Sequence, residues 1–138
     1  MKHLIVTNNR LVRDSLLQNK DAYLFISGEA ENVLLAARNL IMEGWRLAVD
    51  PLQGYYTRFN PYHTVFLQEH LFINADYGEA GISFTDMSFS SQILRLEKGA
   101  AHLRGPKRPP AENTPQIRAD YQYLDYQLAG TALRLLSW

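Results

Sequence analysis

Two polar turns carry the side chains best suited to chemistry in this chain. Thr7-Asn8-Asn9 follows the apolar run Leu4-Ile5-Val6, and Asp50-Pro51-Leu52-Gln53-Gly54 follows Trp45-Arg46-Leu47-Ala48-Val49. Amide side chains beside a turn that opens a helix, together with glycine backbone N–H groups, can hold a carboxylate or a phosphate, because the first turn of a helix leaves donors free. Asp50 is the carboxylate to consider as acid, base or metal ligand. His63 starts the run Thr64-Val65-Phe66-Leu67 and could face Asp50 across the loop as an acid–base pair. Arg58, in that loop, could fork onto a ligand carboxylate. The residues expected to bind a ligand are Asn8, Asn9, Asp50, Gln53, Gly54 and Asn60, with Asp50 and His63 the only candidates for catalysis.

Each of these has an ordinary reading that weighs more. Asparagine is a leading helix cap, Gly54 serves a turn, and Asp before Pro starts one. A lone buried histidine is more often structural than catalytic, and a loop arginine is more often solvated. Tyr55, Tyr56, Phe59 and Tyr62 stand apart: four aromatics in one short loop wall a pocket or a partner surface as readily as they fill a core. His3, His70 and His102 have no spacing to carboxylates that suggests a metal. Neither nucleotide fingerprint, GxGxxG or GxxxxGK[ST], occurs.

The elements that must position these turns are legible from periodicity. Leu4–Val6, Tyr23–Ile26, Trp45–Val49 and Thr64–Leu67 read as strands, with Leu71–Ile73 as an extension or edge. Between them, residues 10–19 carry Leu11, Val12, Leu16 and Leu17 at helical spacing, with Asn8 or Asn9 as cap. Residues 29–43 place Val33, Leu34, Ala37, Leu40 and Ile41 on one face, and Gly44 suits the left-handed position that ends a helix. Residues 76–85 read as a polar surface excursion. From Ser88 the helical period returns through Phe89, Ile93, Leu96, Ala100 and Leu103, with Ser88 or Ser90 as cap. Residues 104–115 hold four of the six prolines and form an extended connector. A last helix begins near Pro115, with Ile117, Tyr121, Leu124, Leu128 and Leu135 on its inner face. Its three tyrosines, 121, 123 and 126, leave part of it free to line a groove or an interface.

Strand, helix, strand, helix, strand is the pattern of parallel βαβ units. The expected fold is therefore a single α/β domain over residues 1–138. It is Rossmann-like, with a mostly parallel four-stranded sheet (βαβαβ-β), helices on its faces and two C-terminal helices. Ligands of such sheets sit outside the carboxyl ends of the strands, which puts both polar turns on one edge. At 138 residues, with fourteen basic and fourteen acidic side chains, the chain can bury a core and shows no charge footprint for nucleic acid or an anionic membrane. The absence of cysteine rules out thiolate catalysis and Cys-based metal sites. No apolar run is long enough for a membrane span or a secretory signal, so the cytoplasm is the expected location and no cofactor is expected.

Several short motifs resemble the GrdX family in order and spacing. They are Val6-Thr7-Asn8-Asn9 with Leu11-Val12, Val33-Leu34 through Gly44, Pro51-Leu52-x-Gly54, Asn60-Pro61-Tyr62, and Asp120-Tyr121-x-x-Leu124-Asp125-x-x-Leu128. That family is associated with the glycine, sarcosine and betaine reductase systems of amino-acid-fermenting anaerobes. The chain departs from its pattern at Arg10, Asp50 and the Tyr55–Phe59 loop. The resemblance implies an accessory context and no particular reaction. The leading expectation is thus a non-catalytic accessory or regulatory module that binds a small carboxylate- or phosphate-bearing ligand. One alternative is an adaptor for a reductase-type complex, or self-association, through the C-terminal helix. Another is an enzyme using Asp50 and His63.

Overall fold

The apolar runs become strands where β-branched and aromatic residues can be covered on both faces, and the helices between them supply the cover. The computed structural model describes residues 2–19, 22–51, 60–69, 88–103 and 114–138. Gln53 and Gly54, the loop residues Tyr55, Tyr56, Arg58 and Phe59, the run Leu71–Ile73, His70, the excursion 76–85 and most of the proline-rich connector lie outside these. The elements run β1 (His3–Thr7), α1 (Arg10–Leu16), β2 (Tyr23–Phe25), α2 (Ala30–Met42), β3 (Trp45–Leu47), β4 (Thr64–Glu69), α3 (Phe89–Leu103) and α4 (Pro115–Leu136).

The sheet has the order β2-β1-β4-β3, and it is mixed. Only β1 and β2 pair in parallel, with Val6 beside Leu24. β4 is antiparallel to β1, with Ile5 opposite Phe66, and antiparallel to β3, with Leu47 opposite Leu67. The expectation of a mostly parallel sheet is therefore corrected. The reason lies in the connection between β3 and β4. A parallel neighbour needs a crossover, usually a helix, whereas two consecutive strands without one return as a hairpin. β4 comes back beside β3 and slots between it and β1, where its two apolar faces are both covered: Thr64 through Leu67 are all buried. Because β4 opposes both neighbours, β1, β2 and β3 still point the same way. Their carboxyl ends share an edge with the start of β4.

Alternation along the central strands divides the core into two layers. Val6, Val65, Leu67 and Leu47 meet Val33, Leu34, Ala37 and Ile41 of α2 and Leu96 and Ala100 of α3. Ile5 and Phe66 face the other way, onto Val12 and Leu17 beside α1 and onto Ala129, Ala132 and Leu133 of α4. Each face thus carries one N-terminal and one C-terminal helix. Burying a side chain such as Phe66 or Leu67 contributes about 2–3 kcal/mol.

The helix ends follow local chemistry. Asn9 caps α1, its Oδ1 accepting from Leu11 N at 3.0 Å. Asn32 Oδ1 reaches back to Glu29 N at the start of α2, and Gly44 ends that helix at φ 115°. Ser88 Oγ accepts from Ser91 N to open α3, and Thr114 caps α4 ahead of Pro115. The face expected of α4 is displaced. Its buried residues are Asp125, Ala129, Ala132 and Leu133, while Leu135 is 78% exposed. Alanines let the helix approach the sheet closely, and that approach rotates the large Leu and Tyr stripe toward the flanks.

Candidate functional site

The edge where β1, β2 and β3 end and β4 begins holds a set of buried polar side chains: Thr7, Asn8, Asn9, Asn60, His63, Thr64 and Asp125. β1 ends in two asparagines because an extended Asn9 can both leave the strand and cap the helix that follows. Asn8 and Asn9 point to opposite sides of the sheet edge and do different work.

Asn8 ties three segments together. Its Nδ2 donates to Gly28 O, at the exit of β2, and to Pro61 O, both at 2.8 Å. Its Oδ1 accepts from His63 N at 2.8 Å. Both N–H groups of the amide and its oxygen are thus engaged within the protein. Asn9, fully buried, is used in the same way: Nδ2 donates to Gln122 O and to Asp125 Oδ2, each at 3.0 Å, while Oδ1 caps α1. Asn60 Oδ1 accepts from Tyr62 N at 2.9 Å to form a tight turn, and its Nδ2 donates to Tyr121 O on α4. The three asparagines expected to touch a ligand are brought to one edge, where their side chains brace it.

Asp125 was not among the residues singled out from sequence as a site, and it is the hub of this network. Its Oδ2 accepts from Asn9 Nδ2 and from Thr64 Oγ1 at 2.9 Å; Thr64 Oγ1 lies 2.9 Å from Thr7 Oγ1, which accepts from Asn9 N at 3.1 Å. The result is a relay of hydroxyls running from the end of β1, through β4, to a helix carboxylate. The signal for it lay in the spacing Asp125, Ala129, Ala132, which puts a carboxylate in line with the small residues that seat α4 on the sheet. Burial raises the Asp125 carboxyl above its ordinary range, against the opposing pull of His63 and of the hydrogen bonds from Asn9 and Thr64.

His63 is likewise buried, and burial lowers its pKa, with the Asp125 carboxylate the main influence in the other direction. Its Nε2 meets the carbonyl of Pro51. A carbonyl can only accept, so Nε2 carries the proton, and Nδ1 is left as a buried lone pair without a hydrogen-bond partner among the described residues. This contact joins the two ends of the loop that connects β3 to β4. Asp50, at the first of those ends, is held in a two-pronged ion pair with Arg95 of α3, at 2.9 and 2.6 Å. Asp50 and His63 are brought to the same edge, with Asp50 directed at Arg95 and His63 at Pro51. Gln53 and Gly54 lie outside the described residues. Tyr62 is half-buried, with Arg118 of α4 5.8 Å from its ring.

The loop is thereby anchored on every side that is described: to α3 through Asp50, to β1 through Pro61 and His63, and to α4 through Asn60. Arg95 is about a third exposed, with 37% of its side chain accessible against 32% for Asp50. Its guanidinium fork is held by Asp50 beside the loop. Arg10 is exposed at the start of α1, on the same edge. The other described histidines, His3 and His102, are elsewhere. His3 stacks on Trp138 with ring centroids 3.9 Å apart, and His102 is exposed in the last turn of α3. Among the described residues no group of three or more His, Asp or Glu could hold a metal ion, and no helix is long and apolar enough to cross a membrane.

Comparison with known proteins gives one family match. No curated protein and no solved structure matches the chain. The family model for GrdX-like proteins matches residues 4–134, from the second residue of β1 almost to the end of α4, and so takes in every polar residue of the edge network. A match over nearly the whole chain makes this protein a member of the GrdX-like family.

Proposed function

We propose that this protein is a non-catalytic accessory or regulatory module, and that it binds a small carboxylate- or phosphate-bearing ligand at the edge formed by the ends of β1, β2 and β3. The observation that carries this reading is the Arg95–Asp50 pair, about a third exposed, beside a loop whose base is fixed by buried hydrogen bonds. An arginine fork suits a planar carboxylate or a phosphate, and a ligand anion could take it from Asp50 without disturbing the core. Asn8, Asn9 and Asn60 then act as the frame that pre-organises the edge. Direct contact falls to Arg95, with Gln53 and Gly54 of the loop as its proposed partners in binding, while Asp50 is the carboxylate that the ligand displaces. A loop held on a rigid base is a common arrangement for recognition.

The test is a thermal-shift screen over amino acids, acyl phosphates and nucleotides, followed by calorimetry on any hit. The expected result is a ligand that stabilises the parent and loses at least tenfold in affinity with Arg95→Gln. A hit that binds Arg95→Gln as tightly as the parent would remove Arg95 from the site and the reading with it.

An adaptor role through α4 is supported by one observation of its own. Tyr123 is 56% exposed, with its ring 5.8 Å from that of the half-buried Tyr126. Such a surface would suit a protein partner, and Tyr123→Ala would weaken that association while leaving small-ligand binding unchanged.

A further inference from the structure

The two edges of the sheet are finished differently. At the β3 edge the backbone N–H of Leu47, which points away from β4, is taken by Oε1 of the fully buried Gln92 at 2.8 Å. α3 therefore closes that edge from the side. At the β2 edge Ala22 O accepts from Ile5 N and Ile26 N donates to Thr7 O, so these groups face β1. By the alternation of a strand, the N–H and C=O groups of Tyr23 and Phe25 face outward. Among the described residues nothing bonds to them. Tyr23 and Leu24 are 41% and 39% exposed, and the stretch Ala22-Tyr23-Leu24-Phe25-Ile26 has none of the charges or prolines that usually blunt an edge.

We propose that β2 is the interface of a two-fold dimer in which the β2 strands of two copies pair antiparallel and join the two sheets into one. The occupant is a second copy because the edge is complementary to itself. An antiparallel pair centred on Leu24 sets Tyr23 opposite Phe25 of the other copy, twice over, and each such pair exchanges two backbone hydrogen bonds. All the outward groups of the strand are satisfied in that one register. It also sets Leu24 against its own copy at the close, non-hydrogen-bonded position, and aromatic against aromatic on the α1 face, which is a favourable cross-strand combination. The formal net charge is zero, so two copies meet without long-range repulsion. With the β3 edge closed by Gln92, pairing ends at two copies and does not propagate.

Light scattering on the full chain should give twice the chain mass. Leu24→Lys sets two like charges face to face and should give the chain mass, with an unchanged far-UV circular dichroism spectrum. Mixing Leu24→Lys with Leu24→Glu should restore the doubled mass, a rescue that a merely misfolded variant could not show. The chain has no cysteine, so Leu24→Cys reports the contact directly. It should oxidise to a covalent dimer, whereas Leu135→Cys on α4 should not. A parent that runs at the chain mass, a Leu24→Lys variant that stays dimeric, or cross-linking through Leu135→Cys in place of Leu24→Cys would each overturn the proposal.

Discussion

Replacing Asp125 with alanine removes the acceptor on which two buried donors converge. One of them, the Thr64 hydroxyl, has an alternative: it can turn its proton to Thr7 Oγ1, 2.9 Å away, while Thr7 donates to His63 O at 3.3 Å. The other has none. One N–H of Asn9 Nδ2 would be stranded in a fully buried position, because Gln122 O takes only its companion. Leaving a buried donor unmet costs about 1–3 kcal/mol, and losing the bond from Thr64 adds about 1 kcal/mol. Some of this is offset, since the buried carboxylate itself is held at a desolvation cost. The expected net loss is about 1–3 kcal/mol. With a urea m-value of about 2 kcal/mol per molar, the unfolding midpoint should fall by about 0.5–1.5 M with m unchanged. Asp125→Asn keeps an oxygen for both donors and gives up the charge, so its midpoint should lie within about 0.5 M of the parent. Equal losses in the two variants would mean that the charge of Asp125, and not its role as acceptor, holds the edge. A loss below about 0.5 kcal/mol for Asp125→Ala would refute the network as a source of stability.

Two further predictions concern protonation and backbone. His63 has its pKa lowered in the folded state, so between that value and the ordinary 6.5 the unfolded chain binds more protons. The contribution is in place above pH 6.5 and is lost as pH falls toward the folded value, with a slope of at most about 1.4 kcal/mol per pH unit. Asp125, raised in the folded state, acts with the opposite sign: its contribution is present below 3.8 and is lost as pH rises through its folded value. Urea midpoints taken between about pH 7.5 and pH 5.5 should therefore fall less steeply in His63→Gln than in the parent, and identical slopes would rule out His63 as the source. Gly44 stands at φ 115°, with nothing within 4 Å of an added Cβ, so Gly44→Ala should cost about 1–2 kcal/mol through backbone strain alone. A thermal melt unchanged by that substitution would contradict the assignment.

Much of the local structure was legible because it depends on near neighbours. The caps at Asn9 and Ser88, the left-handed Gly44, the inner face of α2 and the start of α4 at Pro115 each follow from residues within one turn of one another. The sharing of one edge by the turns after β1 and β3 was also legible, because alternating strands and helices bring successive strands back in the same direction.

What only the tertiary structure decided is carried by contacts between distant parts of the chain. The direction of β4 was set by a return without a crossover and by the need to cover both faces of Thr64 through Leu67, which no local pattern reports. The side chains of Asn8 and Asn9 bond to Pro61 and Asp125, 53 and 116 positions away, so their engagement could not be read from the turn that contains them. Asp125 became the centre of the edge because alanines on one face of α4 let the helix settle against Ile5 and Phe66 and carry the carboxylate inward. Sequence determined which residues could cap, turn and alternate. Packing determined which polar atoms were left facing one another once the apolar faces had closed.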